Sequence, residues 1–383
     1  MIAQTLNTME AKMNPPNSTP QNIFEESNTS MQLRQYESKR QKNINDEFRS
    51  IFGDQTYMTF GLESGHINGR TTFQFDFDND YSVGGHGESE LRWPLNNSLI
   101  GLSASFNYRL NKNVDDMRDR ARMELIWLTR LNEKSGKMLD SDWIENDVGF
   151  IDYYDNNGVG GLDGSDGWAT NHEGKDIYSE SDADVDSLNI FEVNYTYNFW
   201  PNKNLAIGPR FGYRYQQFNF SAYNVAQVGY GPYGPGPFDM SYTDTQNLKW
   251  GTYEAKYSIP YLGLGSQFLW KEKLYFLFNF GFSDWVKVKD KDTHLYPTEG
   301  DGHNMVSKGS TEGFAYLYNF QGGWRFDKNW LLSLGATFVN LATKGDLTQY
   351  HYYYGVLAGY TNPTPHKVTS RYWLVDLSLR YHF

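Results

Sequence analysis

The sequence predicts an all-β fold, a ten-stranded antiparallel transmembrane β-barrel with long extracellular loops, and three observations predict it. Aromatic residues make up 17% of the chain although its mean hydropathy is −0.67. A lipid-facing barrel wall with a polar interior needs that pairing, whereas a water-soluble core rarely does. From Tyr57 onward, apolar and polar residues alternate with a period of two. Short polar turns alternate strictly with long loops rich in Gly, Asp and Asn. The longest strongly apolar run, near Leu274 to Phe282, falls far short of the ~20 residues of a membrane-spanning helix, which excludes a helical membrane protein.

In chain order, residues 1 to 52 are polar, carry Pro15, Pro16 and Pro20, and turn rich in Glu, Gln, Lys and Arg from Glu25 to Phe52. They predict a disordered lead with one helix. Residues 53–383 predict the barrel, with strands near 57–75, 86–110, 119–138, 187–200, 205–227, 252–270, 274–290, 311–326, 330–346 and 370–383. The last strand is the clearest, with Trp373, Val375, Leu377, Leu379, Tyr381 and Phe383 alternating with Leu374, Asp376, Ser378, Arg380 and His382. Phe191 to Phe199 and Ile100 to Tyr108 repeat the pattern, one face suited to lipid and one to a polar lumen. Short turns fall at Asn111–Arg118, Pro201–Asn204, Lys271–Lys273 and Asp327–Asn329, and these belong on the periplasmic side. Ten strands are even, so both chain ends lie on that side too. A barrel only slightly wider than the ~8-strand case, whose interior side chains fill, does not make a general porin.

Composition narrows the partners. The formal charge of −12 argues against nucleic acid and favours cationic ligands or substrates. The chain has no cysteine, which rules out disulfides, thiol catalysis and cysteine-ligated metal. Met1 is not followed by a basic and then an apolar region, so no secretion signal is visible, and the barrel reading takes it to have been removed or replaced.

Two clusters carry chemistry, each where a strand should leave the membrane for a long outer loop. The first is Met138-Leu139-Asp140-Ser141-Asp142-Trp143. The second runs from Ser283-Asp284-Trp285-Val286 to Asp290, Asp292 and His294. Residues two apart share a face of a strand, so Asp140 with Asp142, and Asp290 with Asp292 and His294, each point one way. An aspartate beside a histidine fixes its tautomer and raises its basicity, letting the imidazole take a proton from water. An opposing acidic pair can share a proton, because close carboxylates do not both ionise cheaply. A metal reading exists as well, but no further histidine sits at ligand spacing. Strict alternation from Phe276, Phe278, Phe280 and Phe282 would send Asp290, Asp292 and His294 outward. Facing inward, they require a bulge or change of twist between Asp284 and Asp290.

On these two motifs, on Ile259 to Leu264, on Ser89 to Trp93 with Asn96 and Asn97, and on the C-terminal strand, the chain from Tyr57 to Phe383 resembles the omptins, outer-membrane proteases with a ten-stranded barrel. The resemblance implies that Asp292 and His294 activate a nucleophilic water, that Asp140 and Asp142 are the opposing catalytic pair, and that Asp290 belongs to an acidic pocket for a basic side chain. It also implies a bacterial outer-membrane location with the site facing outward, peptide or protein substrates, and lipopolysaccharide as partner and activator, with no other cofactor and no metal. Tyr213 and Lys256 are the residues left for lipid contact, and the chain is expected to act as a monomer. Two positions depart from the family. Gly69 stands where an acid of the pocket is expected, and Tyr213, Tyr215 and Gln217 keep only the tyrosine of the lipid clasp. The loop from Glu145 to Asp186 is strongly acidic and predicts a solvated segment, with calcium binding at Asp155 to Asp166 or steering of cationic peptides as alternatives. Gly229 to Pro237 predicts a mobile loop. Against the peptidase stands a catalytically silent barrel serving adhesion or envelope structure through its long loops.

Overall fold

The computed structural model describes residues 31–36, 38–40, 55–79, 85–111, 117–145, 175–229, 241–271, 273–297 and 302–383. The chain divides into two units, 1–55 and 56–383. Within the first, residues 31–36 and 38–40 are helical. The acidic residues between Glu145 and Lys175, and the stretch from Tyr230 to Pro237, lie outside the described residues.

The second unit is a closed antiparallel ring of ten staves. In chain order its strands are β1 (Thr56–Asn79), β2 (Gly85–Arg109), β3 (Asp119–Arg130), β4 (Lys134–Glu145), β5 (Ile177–Tyr197), β6 (Leu205–Gly229), β7 (Tyr242–Thr243), β8 (Lys249–Trp270), β9 (Leu274–Leu295), β10 (Asn304–Arg325), β11 (Trp330–Tyr353), β12 (Val356–Tyr360) and β13 (Thr364–His382). The two-residue β7 and the five-residue β12 append to β6 and β11, and β3 and β4 together form one stave. Closure is between the first and last staves, with Thr59 opposite His382 and Phe75 opposite His366.

The period-two pattern does what it predicts at membrane level. Phe60, Leu62, Ile100, Leu102, Phe278 and Leu377 point outward and are exposed, while their strand neighbours Glu63, Ser103, Asn279 and Ser378 are buried in the lumen. Buried charge there is paired, as a low dielectric demands. Arg380 reaches Glu124 at 2.7 Å and Glu63 at 3.3 Å, and Arg214 reaches Glu192 at 2.7 Å. Tyr261 donates to Glu192 at 2.6 Å. Beyond this layer the lumen is packed with aromatic rings. Phe73, Trp93, Phe218, Phe220, Tyr253, Tyr257 and Tyr372 are essentially fully buried. Trp93 stacks on Tyr253 at 5.8 Å and 12°, and on Phe220 at 5.3 Å. The plug leaves a cavity of ≈ 60 Å³ among the lumen charges.

Two sequence expectations need correction. The third strand is not continuous over 119–138. It breaks after Arg130, where the Asn132 side chain takes the Ser98 N–H at 2.6 Å in place of a backbone carbonyl, and pairing with β2 resumes only at Arg92 and Leu139. Side chains patch the gap instead: Ser135 Oγ donates to Pro94 O at 2.6 Å, and Asn97 Nδ2 to Asn132 O at 3.2 Å. The strands are also longer than predicted. β5 starts at Ile177, β10 at Asn304 and β13 at Thr364, and β11 runs to Tyr353. Outside lipid the outer face no longer needs to be apolar, so the alternation fades while backbone pairing continues. Twenty-two residues of β9 at ~3.4 Å each extend far beyond an apolar band of ~25 Å, and the excess raises a rim above the membrane.

Candidate active site

The rim cluster is built from β4 and β9. On β9 the apolar outward row Phe276, Phe278, Phe280 and Phe282 ends at a bulge. Ser283 pairs with Ala315 and Val286 with Gly313, so Asp284 and Trp285 together oppose Phe314 alone. Both are exposed in succession, and the parity inverts: Asn279, Gly281 and Ser283 face the lumen before the bulge, Val286, Val288, Asp290 and Asp292 after it. The bulge that inward carboxylates require therefore lies at Asp284–Trp285. On the other side, the pairing of β8 with β9 also slips between Ser258 and Leu262, around Pro260.

On β4, Asp140 lies opposite Leu91 and Asp142 opposite Ser89. Both partners are buried, which puts the two carboxylates on the inner face. Across the ring, His294 Nε2 stands 2.9 Å from Asp292 Oδ2, with Asp292 buried and His294 about a quarter exposed. The contact holds the imidazole against the Asp292 carboxylate, and Asp140 Oδ1 is likewise buried.

These groups stand above the apolar belt, and they feel one another. Burial, then the charge of Asp142, push Asp140 well above the usual carboxylate range, with Asp292 adding to the shift and His294 opposing it. Burial also raises Asp142, against the pull of Ser89 and His294. Burial alone would lower His294, yet the Asp292 carboxylate, assisted by Asp140 and Asp142, outweighs it and holds the imidazole up to about 9. The structure thus brings together Asp140, Asp142, Asp292 and His294 in one electrostatic unit. It can carry a proton between an acid on β4 and a base on β9. Among the described residues no three His, Asp or Glu side chains converge in a manner that would hold a metal ion.

Asp290 is placed differently. Its side chain is fully buried against His366 of β13, with His366 Nε2 3.1 Å from Oδ1 and 3.0 Å from Oδ2. His366 Nδ1 faces Gln74 O at 3.0 Å, and Phe73 packs on the ring at 4.8 Å. Sequence reading missed His366, because the ring closure that brings β13 beside β1 and Asp290 within reach has no local signal. Gly69 also differs from expectation. With φ of +157°, a Cβ there would lie 2.2 Å from Arg371 O and 2.5 Å from Tyr372 Cα. Any side chain at this position collides with β13 instead of entering a pocket.

The residues expected at lipid lie on the outer wall. Tyr213 Oη is 2.9 Å from Ser258 Oγ, and Lys256 pairs with Glu254 at 2.5 Å. Lys256 also sits opposite Lys289, and Lys291 opposite Lys308.

Comparison with known proteins fits this geometry. The family model described as "Omptin family" matches residues 58–383. Among solved structures, the outer membrane protease OmpT of Escherichia coli is similar in fold, with a TM-score of 0.62 at 16% identity, over 85% of this chain and 97% of that one. The translocator domain of the autotransporter NalP of Neisseria meningitidis matches at a TM-score of 0.31 and 9% identity, over 93% and 98% of the two chains, a likeness too weak to argue from. No curated protein matches the chain in sequence. A barrel of ten staves bearing an acidic rim, matched by the family model over nearly its whole length, makes this chain a member of the omptin family and a bacterial outer-membrane protease.

Proposed function

We propose that the rim cluster hydrolyses peptide bonds with a water molecule as nucleophile, on the outer face of the membrane. His294, oriented by Asp292, takes a proton from the water at the ring nitrogen not turned to Asp292. The hydroxide adds to the substrate carbonyl. Asp140, which burial and Asp142 keep protonated more readily than an ordinary carboxyl, donates a hydrogen bond to the developing oxyanion. His294 then returns its proton to the leaving amine as the C–N bond breaks. The observation that carries this reading is the electrostatic coupling of two unlike pairs, an Asp–Asp on β4 and an Asp–His on β9, through buried carboxylates. One chain supplies the whole site, consistent with action as a monomer.

Lipopolysaccharide is the partner and activator we infer for the outer wall. Lys256, Lys289, Lys291 and Lys308 occupy adjacent cross-strand positions just above the apolar belt, and Glu254, bonded to Lys256 and opposite Lys291, offsets only one of the four charges, so the surplus attracts an anion. Phosphate-bearing headgroups supply that anion. The test is to incubate the refolded protein with a mixed peptide library, with and without lipopolysaccharide and with and without a chelator. Cleavage that lipid enhances and the chelator spares supports the reading. Zinc-restored inhibition would favour a metal mechanism, and an intact barrel that cuts nothing would favour the silent adhesin.

A further inference from the structure

We propose that His366 determines specificity: it neutralises Asp290 and makes the floor beneath Asp292 a site for an uncharged substrate side chain, not for arginine or lysine. The inference rests on the peptidase reading for its substrate and on geometry for its mechanism. Asp290 is one inward step below Asp292 on β9, about 7 Å along the strand. A lone carboxylate there would hold a cationic side chain. This one is already spoken for. Both nitrogens of His366 face acceptors, Nδ1 the backbone oxygen of Gln74 and Nε2 both oxygens of Asp290. With a hydrogen on each ring nitrogen the imidazole satisfies both acceptors at once, and its positive charge then sits directly on the Asp290 carboxylate. Neither side chain has any exposed surface through which a substrate cation could compete.

The surroundings reinforce this. Phe73 and Tyr253 pack beside the pair, with Phe73 at 4.8 Å from His366 and 5.4 Å from Tyr253. The inward residues of upper β1 are Gly69, Thr71, Phe73 and Phe75, none of them acidic. Glu63, the acid of that strand with its side chain in the lumen, is paired with Arg380 far below. Opposite Asp290 on β10, Gly309 leaves the room the pair needs, since a Cβ there would stand 2.5 Å from Asp290 Oδ1 and 2.6 Å from His366 Nε2. Two strands and a glycine thus cooperate to seat a histidine on a carboxylate that would otherwise attract a cation.

The experiment combines binding with cleavage, so that this proposal and the peptidase reading fail separately. Binding of 4-aminobenzamidine, a fluorescent mimic of the arginine side chain, is titrated against the refolded wild type, His366→Ala, His366→Gln and the double variant His366→Ala/Asp290→Asn. Each is first shown to be folded by heat-modifiable gel mobility. His366→Gln keeps a donor toward Asp290 without the charge, which guards against a cavity that collapses in His366→Ala. The wild type is expected to bind at least 10-fold more weakly than whichever single variant folds, and the double variant to lose the gain. Peptides differing only in Arg, Leu or Phe at the cleavage position are expected to show no preference for Arg in the wild type, and at least a 10-fold shift toward Arg in the single variants. Wild-type binding that Asp290→Asn abolishes, or strict wild-type cleavage at basic residues, overturns the neutral floor. The expected binding pattern without cleavage of any peptide refutes the peptidase and leaves the floor standing.

Discussion

The proton on His294 is where residue chemistry meets activity. Burial disfavours the imidazolium, and the carboxylates of Asp292, Asp140 and Asp142 more than compensate, holding it to about 9. The neutral base therefore dominates only in alkaline solution, and kcat/KM is expected to climb with pH along a limb near that value. Asp292→Asn removes the strongest opposing charge. It should move the limb toward lower pH while reducing turnover by at least about 10², and His294→Ala should cost as much without unfolding the barrel. A pH–rate profile of the Asn variant with its limb unmoved would exclude Asp292 as the orienting group. The same shift has a stability side. Because the folded value is raised above the ordinary 6.5, the ion pair stabilises fully below that pH and its contribution is lost as pH rises through about 9. The thermal-stability advantage of wild type over His294→Ala should accordingly shrink between pH 6 and pH 10.

At the scale of elements, one extra residue decides the site. Lipid fixes the parity of β9 below the bulge, since the phenylalanines must face out, and the two-against-one pairing at Asp284–Trp285 inverts it above. Deleting Trp285 alone should leave a regular ladder, Asp284 opposite Phe314, with Asp290, Asp292 and His294 still inward and peptide cleavage retained. Deleting Asp284 and Trp285 together should turn those three residues to the outside, and cleavage is then expected to fall to background while the protein keeps a strand-dominated circular dichroism spectrum. Activity near wild type in that double deletion would mean that the rim strand re-forms a bulge elsewhere. On β1, the close approach of Arg371 O and the positive φ make Gly69 intolerant of any side chain. Gly69→Glu is therefore expected to lower the unfolding midpoint in detergent and not to sharpen cleavage at basic residues, as an acid in an open pocket would.

At the scale of the barrel, the aromatic plug separates the acidic rim cluster from the charge-paired lumen. A barrel so filled should show no steady conductance in planar bilayers. Trp93→Ala removes a fully buried ring stacked on Tyr253 and Phe220, and truncations of this size cost about 3–5 kcal/mol. Unfolding by urea in lipid vesicles measures that loss, and a cost under about 1 kcal/mol would show that the plug is loosely packed. Ring closure pairs Thr59 of the first stave with His382 of the last. Removing residues 1–52 should leave heat-modifiable mobility and circular dichroism unchanged.

Period-two alternation, turn spacing and the paired acidic motifs determined the class of fold, the number of staves and which side chains gather at the rim. They could do so because a strand crossing lipid must show one apolar and one polar face, and that constraint is written locally. Local pattern falls silent above the membrane, where both faces are wet, and so the extra length of β5, β10 and β13 and the break between β3 and β4 emerged only from the fold. The partner of Asp290 is the sharpest case. His366 lies 76 positions away, and only closure of the ring between β1 and β13, with Gly309 leaving space, seats its imidazole on that carboxylate. The sequence by itself placed an acid at the cleft, and the tertiary structure decided that its charge is balanced, because neutralisation depends on what packs against a group and not on what precedes it in the chain.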